Sequence, residues 1–135
     1  MPLPTGTVMF DVDIAHFKAL NDAHGLPVGD AVLVEVARRL EAAAAPWPVY
    51  RYGGDEFLVI ARLPSAPSID DFGLRLRMAI EQPMTVSAYS QRDIPLVIDV
   101  RIGFALAPPG GDIERFRAEL DRSMDLSRQV ERPHR

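Results

Sequence analysis

The fold is decided by the stretch Val49-Tyr50-Arg51-Tyr52-Gly53-Gly54-Asp55-Glu56-Phe57-Leu58-Val59-Ile60-Ala61. Two β-rich runs flank the Gly53-Gly54 pair, and paired glycines favour the positive φ angles of a tight turn. We therefore expect a β-hairpin here. Its turn is followed at once by the acidic pair Asp55-Glu56.

A further strand is expected over residues 7–14, an apolar run that ends in acids. Asp11 and Asp13 are two residues apart, so their carboxylates point to the same face of this strand. If the strand lies beside the hairpin, three or four carboxylates meet. Such a cluster repels itself unless a divalent cation is bound, and ligands that are all oxygen atoms indicate Mg²⁺ or Mn²⁺. The alternative from spacing alone is a solvated strand end and an ordinary acidic turn.

The remaining pattern alternates helices and strands. The order β-α-α-β-β-α-β-β-α predicts an α/β (α+β) fold, with a palm-like, ferredoxin-related mixed or antiparallel sheet of about five strands packed with helices. The expected helices are 17–23, 30–44, 69–81 and one that begins at Asp112; the expected further strands are 84–89 and 94–107; the expected loops are 25–29 and 64–68.

The composition suits one domain with a buried core. The chain has 135 residues, of which 47% are hydrophobic. Its net charge of −4 argues against a protein that coats nucleic acid or an anionic membrane. The absence of cysteine excludes disulfides and thiolate metal sites and is compatible with the cytoplasm, where we expect the protein. No run approaches the roughly 18 apolar residues of a membrane span.

Five further residues are candidates for binding. Lys18, the single lysine, is either a phosphate contact or a solvated charge. Asn21 and Asp30 carry acceptors that can read the edge of a base, although both residue types also cap helices. Arg128 and Arg132 are four residues apart and present two guanidinium groups on one helix face, or else complement the helix dipole.

Together these segments resemble the GGDEF domain of diguanylate cyclases. Residues 51–57 carry the complete signature, and residues 13–22 are similar to the pattern D-x-D-x-F-K-x-x-N-D. Gly29-Asp30 matches a following G-D, and residues 101–105 resemble an S-I-G-V-A strand. The resemblance runs from about Thr7 to Arg132, which is nearly the whole chain.

The resemblance implies a metal-dependent catalytic centre. By position, Asp13 is a metal ligand and Ile14 lends it a backbone carbonyl. Asp55 and Glu56 match the acidic pair that serves metal binding and catalysis, and Lys18 matches a lysine beside the phosphates. The implied cofactor is Mg²⁺ or Mn²⁺, as two ions.

The resemblance also implies the substrate and the reaction. Asn21 and Asp30 match the residues that read guanine, while Arg128 and Arg132 match contacts to the β- and γ-phosphates. The implied reaction condenses two GTP into cyclic di-GMP and releases pyrophosphate. Each monomer of that family holds one GTP, so the implied assembly is a homodimer, without nucleic acid or membrane as a partner.

Several positions depart from the family pattern. Ala15 replaces the second acid of D-x-D, and Asp125 replaces a tyrosine of the last helix. The R-x-x-D of the inhibitory product site falls on Ala44 and Trp47, so we expect no feedback there. We expect residues 1–135 to form one cyclase domain that lacks the usual N-terminal helical segment.

These departures leave two alternative functions. One is a stand-alone minimal polymerase, similar to the palm of CRISPR signalling complexes, that makes cyclic oligoadenylates from ATP. The other is a degenerate module that binds GTP without turnover. Asn21 and Asp30 favour guanine over adenine, and the intact acids favour turnover.

Overall fold

The computed structural model describes residues 6–89 and 91–107, together with residues 112, 115 and 118. Between residues 6 and 107 helices and strands follow one another in an α+β order. Their bounds are β1 Thr7–Ile14, α1 Phe17–His24, α2 Leu26–Ala44, β2 Val49–Arg51, β3 Glu56–Arg62, α3 Ala66–Ile80, β4 Met84–Ala88, β5 Gln91–Leu96 and β6 Val100–Leu106.

The main sheet is antiparallel and has the strand order β2-β3-β1-β6. Strands β4 and β5 pair with each other in a separate two-stranded sheet. The predicted class, an antiparallel sheet packed with helices, is confirmed, and so are the strand over residues 7–14 and the β2–β3 hairpin. The strands are divided between two sheets, whereas the sequence suggested one.

Strand β1 lies in the middle of the main sheet and is buried on both faces. One face packs into the core formed with α2 and α3, where the ring of Phe10 lies 5.1 Å from that of Phe72. Each large apolar side chain buried there contributes about 1.5–3 kcal/mol. The residues of this face are Val8, Phe10, Val12 and Ile14. Those of the opposite face are Thr7, Met9, Asp11 and Asp13. The sheet therefore carries two buried carboxylates on the face opposite α2 and α3.

Helix α2 begins earlier than the sequence pattern indicated. The predicted loop over residues 25–29 is wrong beyond Gly25, since the helix starts at Leu26. Pro27 lies in the first turn, where a helix needs no amide donor. Gly25 separates α1 from α2 with a φ of 91°, and its amide donates to the Asn21 carbonyl at 2.7 Å. Gly25 and Pro27 thus mark the junction of α1 and α2.

Helix α3 also begins three residues before the predicted start. Ser65 caps it, since the Ser68 amide donates to Ser65 Oγ at 3.3 Å. Pro67 again occupies the first turn. The prolines and serines of residues 64–68 are therefore start signals, and the loop predicted there is wrong from Ala66 onward.

The long strand predicted over residues 94–107 is two strands. Strand β5 ends at Leu96 as the partner of β4, and β6 starts at Val100 as the partner of β1. A run of apolar residues indicates that a segment is buried. It does not indicate which strand the segment pairs with, and this explains why the two strands were predicted as one. The predicted last helix falls mostly outside the described residues; within them, the Arg115 amide donates to Asp112 Oδ1 at 2.8 Å, as expected where Asp caps a helix.

None of the helices in the described part of the chain combines the length and apolar character needed to cross a bilayer.

Candidate active site

The two acidic motifs lie side by side at one edge of the main sheet, where β1 ends and β3 begins. Asp13 is opposite Glu56 in the β1–β3 register. The Ile14 amide donates to the Asp55 carbonyl at 3.3 Å. The backbone of the hairpin acids is therefore one strand spacing, about 4.8 Å, from the backbone at the end of β1. This placement satisfies the condition on which the sequence-based metal hypothesis depended.

The connection between β2 and β3 is held in place by its own hydrogen bonds. The amides of Tyr52 and Gly53 donate to the Glu56 carbonyl at 2.9 and 3.3 Å. Arg51 closes the other side of the turn, since its guanidinium donates to the carbonyls of Gly53 and Gly54 at 3.2 and 2.8 Å. The turn thus presents the acidic pair on a braced loop.

The two glycines of this turn do not play the role predicted for them. Neither Gly53 nor Gly54 has a φ in the left-handed region. Four residues connect the strands, and a longer connection does not need the positive φ angles of a two-residue turn. A Cβ atom on Gly54 would meet nothing within 4 Å. Its backbone is therefore open to close approach by a ligand.

Asp13 is in contact with an arginine. Arg101 is opposite Asp13 in the β1–β6 register, and its Nη1 lies 3.4 Å from Asp13 Oδ2. The side chains are 12% and 3% exposed, respectively. Asp13 therefore lies between Glu56 on one neighbouring strand and a guanidinium on the other.

The predicted base-reading residues lie at the junction of α1 and α2. Asn21 is on α1, and its side chain packs directly on Gly29 of α2. The Oδ1 atom of Asn21 is buried and accepts no hydrogen bond from the described residues. Asp30 follows Gly29 and is exposed. Among the described residues the junction thus holds a buried acceptor without a donor, and the residue after Gly29 carries an exposed carboxylate.

Lys18 lies in the first turn of α1 and is exposed. It makes no hydrogen bond or ion pair with the described residues. Arg128 and Arg132, the two predicted phosphate contacts on the last helix, lie outside the described residues, as does Asp125.

The sequence model of the family described as diguanylate cyclase, GGDEF domain, matches residues 4–133. This match covers nearly the whole chain and includes both acidic motifs. The chain belongs to the GGDEF domain family.

Relatives of this GGDEF domain include signalling enzymes of several bacteria. It is 36% identical over 101 residues to the bifunctional diguanylate cyclase/cyclic di-GMP phosphodiesterase MucR of Pseudomonas aeruginosa, which is 74% of this chain and 14% of MucR. It is 29% identical over 130 residues to the diguanylate cyclase DgcZ of Escherichia coli, which is 96% of this chain and 43% of DgcZ. The chain therefore spans less than half of either relative.

Solved structures show the same fold. The GGDEF domain of DgcB from Caulobacter crescentus, in complex with c-di-GMP, superposes with a TM-score of 0.78 at 28% identity over 92% of this chain and 72% of that one. The GGDEF domain of YfiN (TpbB) from Pseudomonas aeruginosa gives a TM-score of 0.80 at 27% identity, over 92% and 76%.

The donor types at the sheet edge of this GGDEF domain fit a hard divalent cation. Carboxylates and carbonyls are the ligands that Mg²⁺ and Mn²⁺ prefer. Asp13 supplies such a ligand from the end of β1, and Asp55 and Glu56 supply them from the point where the turn joins β3. Nevertheless, no three acidic or histidine side chains within residues 6–89 and 91–107 are grouped closely enough to hold a metal. The ligand types for a divalent cation are present, but these side chains would have to move closer together to bind one.

Three residues of the site are not predicted from the sequence. Arg101 was noticed only as part of a strand motif, and finding its contact requires the β1–β6 register. Gly29 was matched to a motif without a physical role. The sequence pattern places Arg51 only in a strand and in the signature motif, although an arginine just before a Gly-Gly turn is well placed to bind the turn carbonyls.

Proposed function

We propose that this GGDEF domain condenses two GTP molecules into cyclic di-GMP with release of pyrophosphate. The observation that carries the proposal is the pairing of Asp13 with Glu56 across β1 and β3, next to the hydrogen bond from Ile14 to Asp55. Family membership supports the same reaction. The cytoplasmic location expected from the cysteine-free sequence belongs to this proposal.

The bond changes are those of phosphoryl transfer. The 3′-oxygen of one GTP bonds to the α-phosphorus of the other, the bond from that phosphorus to the bridging oxygen breaks, and pyrophosphate leaves. The proton of the 3′-hydroxyl passes to a carboxylate of the Asp55–Glu56 pair. Repeating the step in the opposite sense closes the ring.

The residues proposed to hold two Mg²⁺ or Mn²⁺ ions are Asp13, the Ile14 carbonyl, Asp55 and Glu56. Bound divalent cations would neutralise the triphosphate and lower the pKa of the 3′-hydroxyl. The open backbone at Gly54 leaves space for a phosphate beside these carboxylates.

Nucleotide recognition is proposed at the α1–α2 junction. The buried Oδ1 of Asn21 needs a donor, and the edge of guanine offers N–H donors. Asp30, an exposed acceptor next to it, suits the same edge. Lys18 would contact the phosphates, and Arg128 and Arg132 are proposed for the same task from their family positions.

Cyclisation requires two bound GTP molecules that face each other, because each 3′-hydroxyl attacks the other nucleotide. One domain with one nucleotide site therefore acts as a homodimer. No product feedback is proposed, since Ala44 is buried at the end of α2 and neither it nor Trp47 is charged.

The decisive experiment offers radiolabelled GTP and ATP in parallel, each with Mg²⁺ or Mn²⁺, and resolves the products. Cyclic di-GMP from GTP is the expected result. Asp13→Asn and Glu56→Gln should each lower the rate at least about 100-fold, because each removes a charge at the reacting centre. Asp70→Asn, which changes an exposed carboxylate of α3, is the matched control.

One observation favours a second candidate, a GTP-binding module without turnover. The guanidinium of Arg101 already lies against the carboxylate proposed as a metal ligand. GTP binding without any cyclic product would support that reading. Cyclic oligoadenylates formed from ATP would instead show that the substrate is ATP and not GTP.

A further inference from the structure

The ion pair between Arg101 and Asp13 lies where β1 ends and β6 begins. The two residues are directly opposite in the β1–β6 register. Their neighbours Val12, Val100 and Ile102 belong to the helix-side core, so both charged side chains are on the other face. The strand geometry thus brings this guanidinium to this carboxylate.

The pair is shielded from water. With Asp13 3% exposed and Arg101 12% exposed, solvent screens their attraction only weakly. A buried carboxylate needs a compensating charge, and removing one partner of such a pair is costly. Arg101 supplies that charge to Asp13 from the neighbouring strand.

We propose that Arg101 is a resident cation that competes with the divalent metal for Asp13 and thereby sets the metal concentration the site requires. This inference rests on the proposed function, in which Asp13 is a metal ligand. Mg²⁺ binds carboxylate oxygens at about 2.0–2.1 Å. A guanidinium 3.4 Å from Asp13 Oδ2 would then face a doubly charged ion at close range. A cation bound through Asp13 Oδ2 would therefore displace the Arg101 guanidinium from that oxygen, and one bound through the other oxygen would be repelled by it.

The test measures binding of Mn²⁺ alone by electron paramagnetic resonance, without nucleotide. Arg101→Ser should bind Mn²⁺ about tenfold more tightly than the wild type or better. Arg101→Lys keeps the charge and should stay close to the wild type. Arg92→Ser removes an exposed arginine of β5 and is the charge-matched control, expected to bind as the wild type does.

A second variant guards against a folding defect in Arg101→Ser. Arg101→Gln keeps most of the side-chain volume without the charge. Mn²⁺ should raise the Tm of Arg101→Gln more than that of the wild type, because a tighter ligand stabilises the folded state more. Adding Asp13→Asn to either variant should abolish the gain, since the two residues act as a pair.

Equal Mn²⁺ affinities in the wild type, Arg101→Ser and Arg101→Gln would overturn the inference. So would a gain in Arg101→Lys as large as that in Arg101→Ser, because space and not charge would then be the cause. The proposed function is judged separately by product formation from GTP. A cyclase with unchanged Mn²⁺ affinity in the variants defeats only the role of Arg101, and an affinity gain without any product defeats only the cyclase proposal.

Discussion

Gly29 lies so close to Asn21 that a Cβ atom added to Gly29 would be 1.7 Å from Asn21 Oδ1 and 2.9 Å from its Cγ. The only side chain that leaves room for Asn21 in this position is therefore that of glycine. Within a helix such a glycine costs about 0.5–1 kcal/mol relative to alanine, so its presence in α2 has a packing reason. That reason is the placement of the proposed guanine-reading amide.

Gly29→Ala should displace Asn21 and weaken GTP binding about tenfold, close to 1.4 kcal/mol. Gly73→Ala in α3 is the matched control, because a Cβ atom there meets Phe10 Cε1 at an ordinary 3.5 Å. Isothermal titration calorimetry with GTP compares the two. Unchanged GTP affinity in Gly29→Ala would show that Asn21 does not read the nucleotide.

Arg39→Ala should destabilise the fold by about 2 kcal/mol. Arg39 joins α2 to the end of α3, since its guanidinium donates to the carbonyls of Ile80, Gln82 and Pro83 at 3.1, 2.7 and 3.0 Å. Urea unfolding measures the loss. Arg38→Ala is the control, because that arginine is exposed and pairs with Glu35 at the surface, where solvent screens the attraction. Equal losses in both variants would contradict the bridging role of Arg39.

The carboxyl group of Glu35 should make stability depend on pH in the acid range. Hydrogen bonds from Arg38 and then Arg39 lower its pKa from 4.5 to about 2. Because the folded state binds the proton less readily than the unfolded state, the stabilisation is complete above pH 4.5 and is lost as the pH falls toward 2. The difference in unfolding free energy between the wild type and Glu35→Gln should therefore shrink over this window. A difference that stays constant from pH 5 to about 2 would rule out the ion pair as its source.

Arg51→Ala should slow catalysis while leaving stability nearly unchanged. The exposed guanidinium of Arg51 holds the carbonyls of Gly53 and Gly54, so its loss loosens the turn that presents Asp55 and Glu56. We expect kcat to fall about tenfold or more, because small misplacements of reacting groups are costly, and the free energy of unfolding to change by less than about 1 kcal/mol. Arg62→Ala, at the exposed end of β3, controls for the lost charge. A kcat equal to that of the control would show that Arg51 does not position the acidic pair.

The parts of the fold that were predicted correctly have clear local signals. The strand over residues 7–14 is a short apolar run, and the hairpin is marked by Gly53-Gly54 between two β-rich runs. The start of α2 was missed because Pro27 and Gly29 are typical of loops, although each has a specific place in this helix. The division of residues 94–107 was missed because a strand's partner is a tertiary property.

The sequence indicates the acids of the candidate site but not the residues that surround them. Spacing and the family pattern indicate Asp13, Asp55 and Glu56, and the β1–β3 register sets Asp13 opposite Glu56. Their role as metal ligands stays a prediction. The pairing of Arg101 with Asp13 depends on which residues two distant strands set opposite each other. Likewise, the close packing of Gly29 on Asn21 depends on the crossing of two helices, which no local pattern contains.

The most direct test of the central proposal is the amount of cyclic di-GMP that the wild-type protein forms from GTP and Mg²⁺ or Mn²⁺, measured by mass spectrometry beside Glu56→Gln. We predict that the wild type forms cyclic di-GMP and releases one pyrophosphate for each phosphodiester bond formed. Glu56→Gln should give at least about 100-fold less product. A wild-type reaction that leaves GTP intact, or one in which Glu56→Gln is equally active, would contradict it.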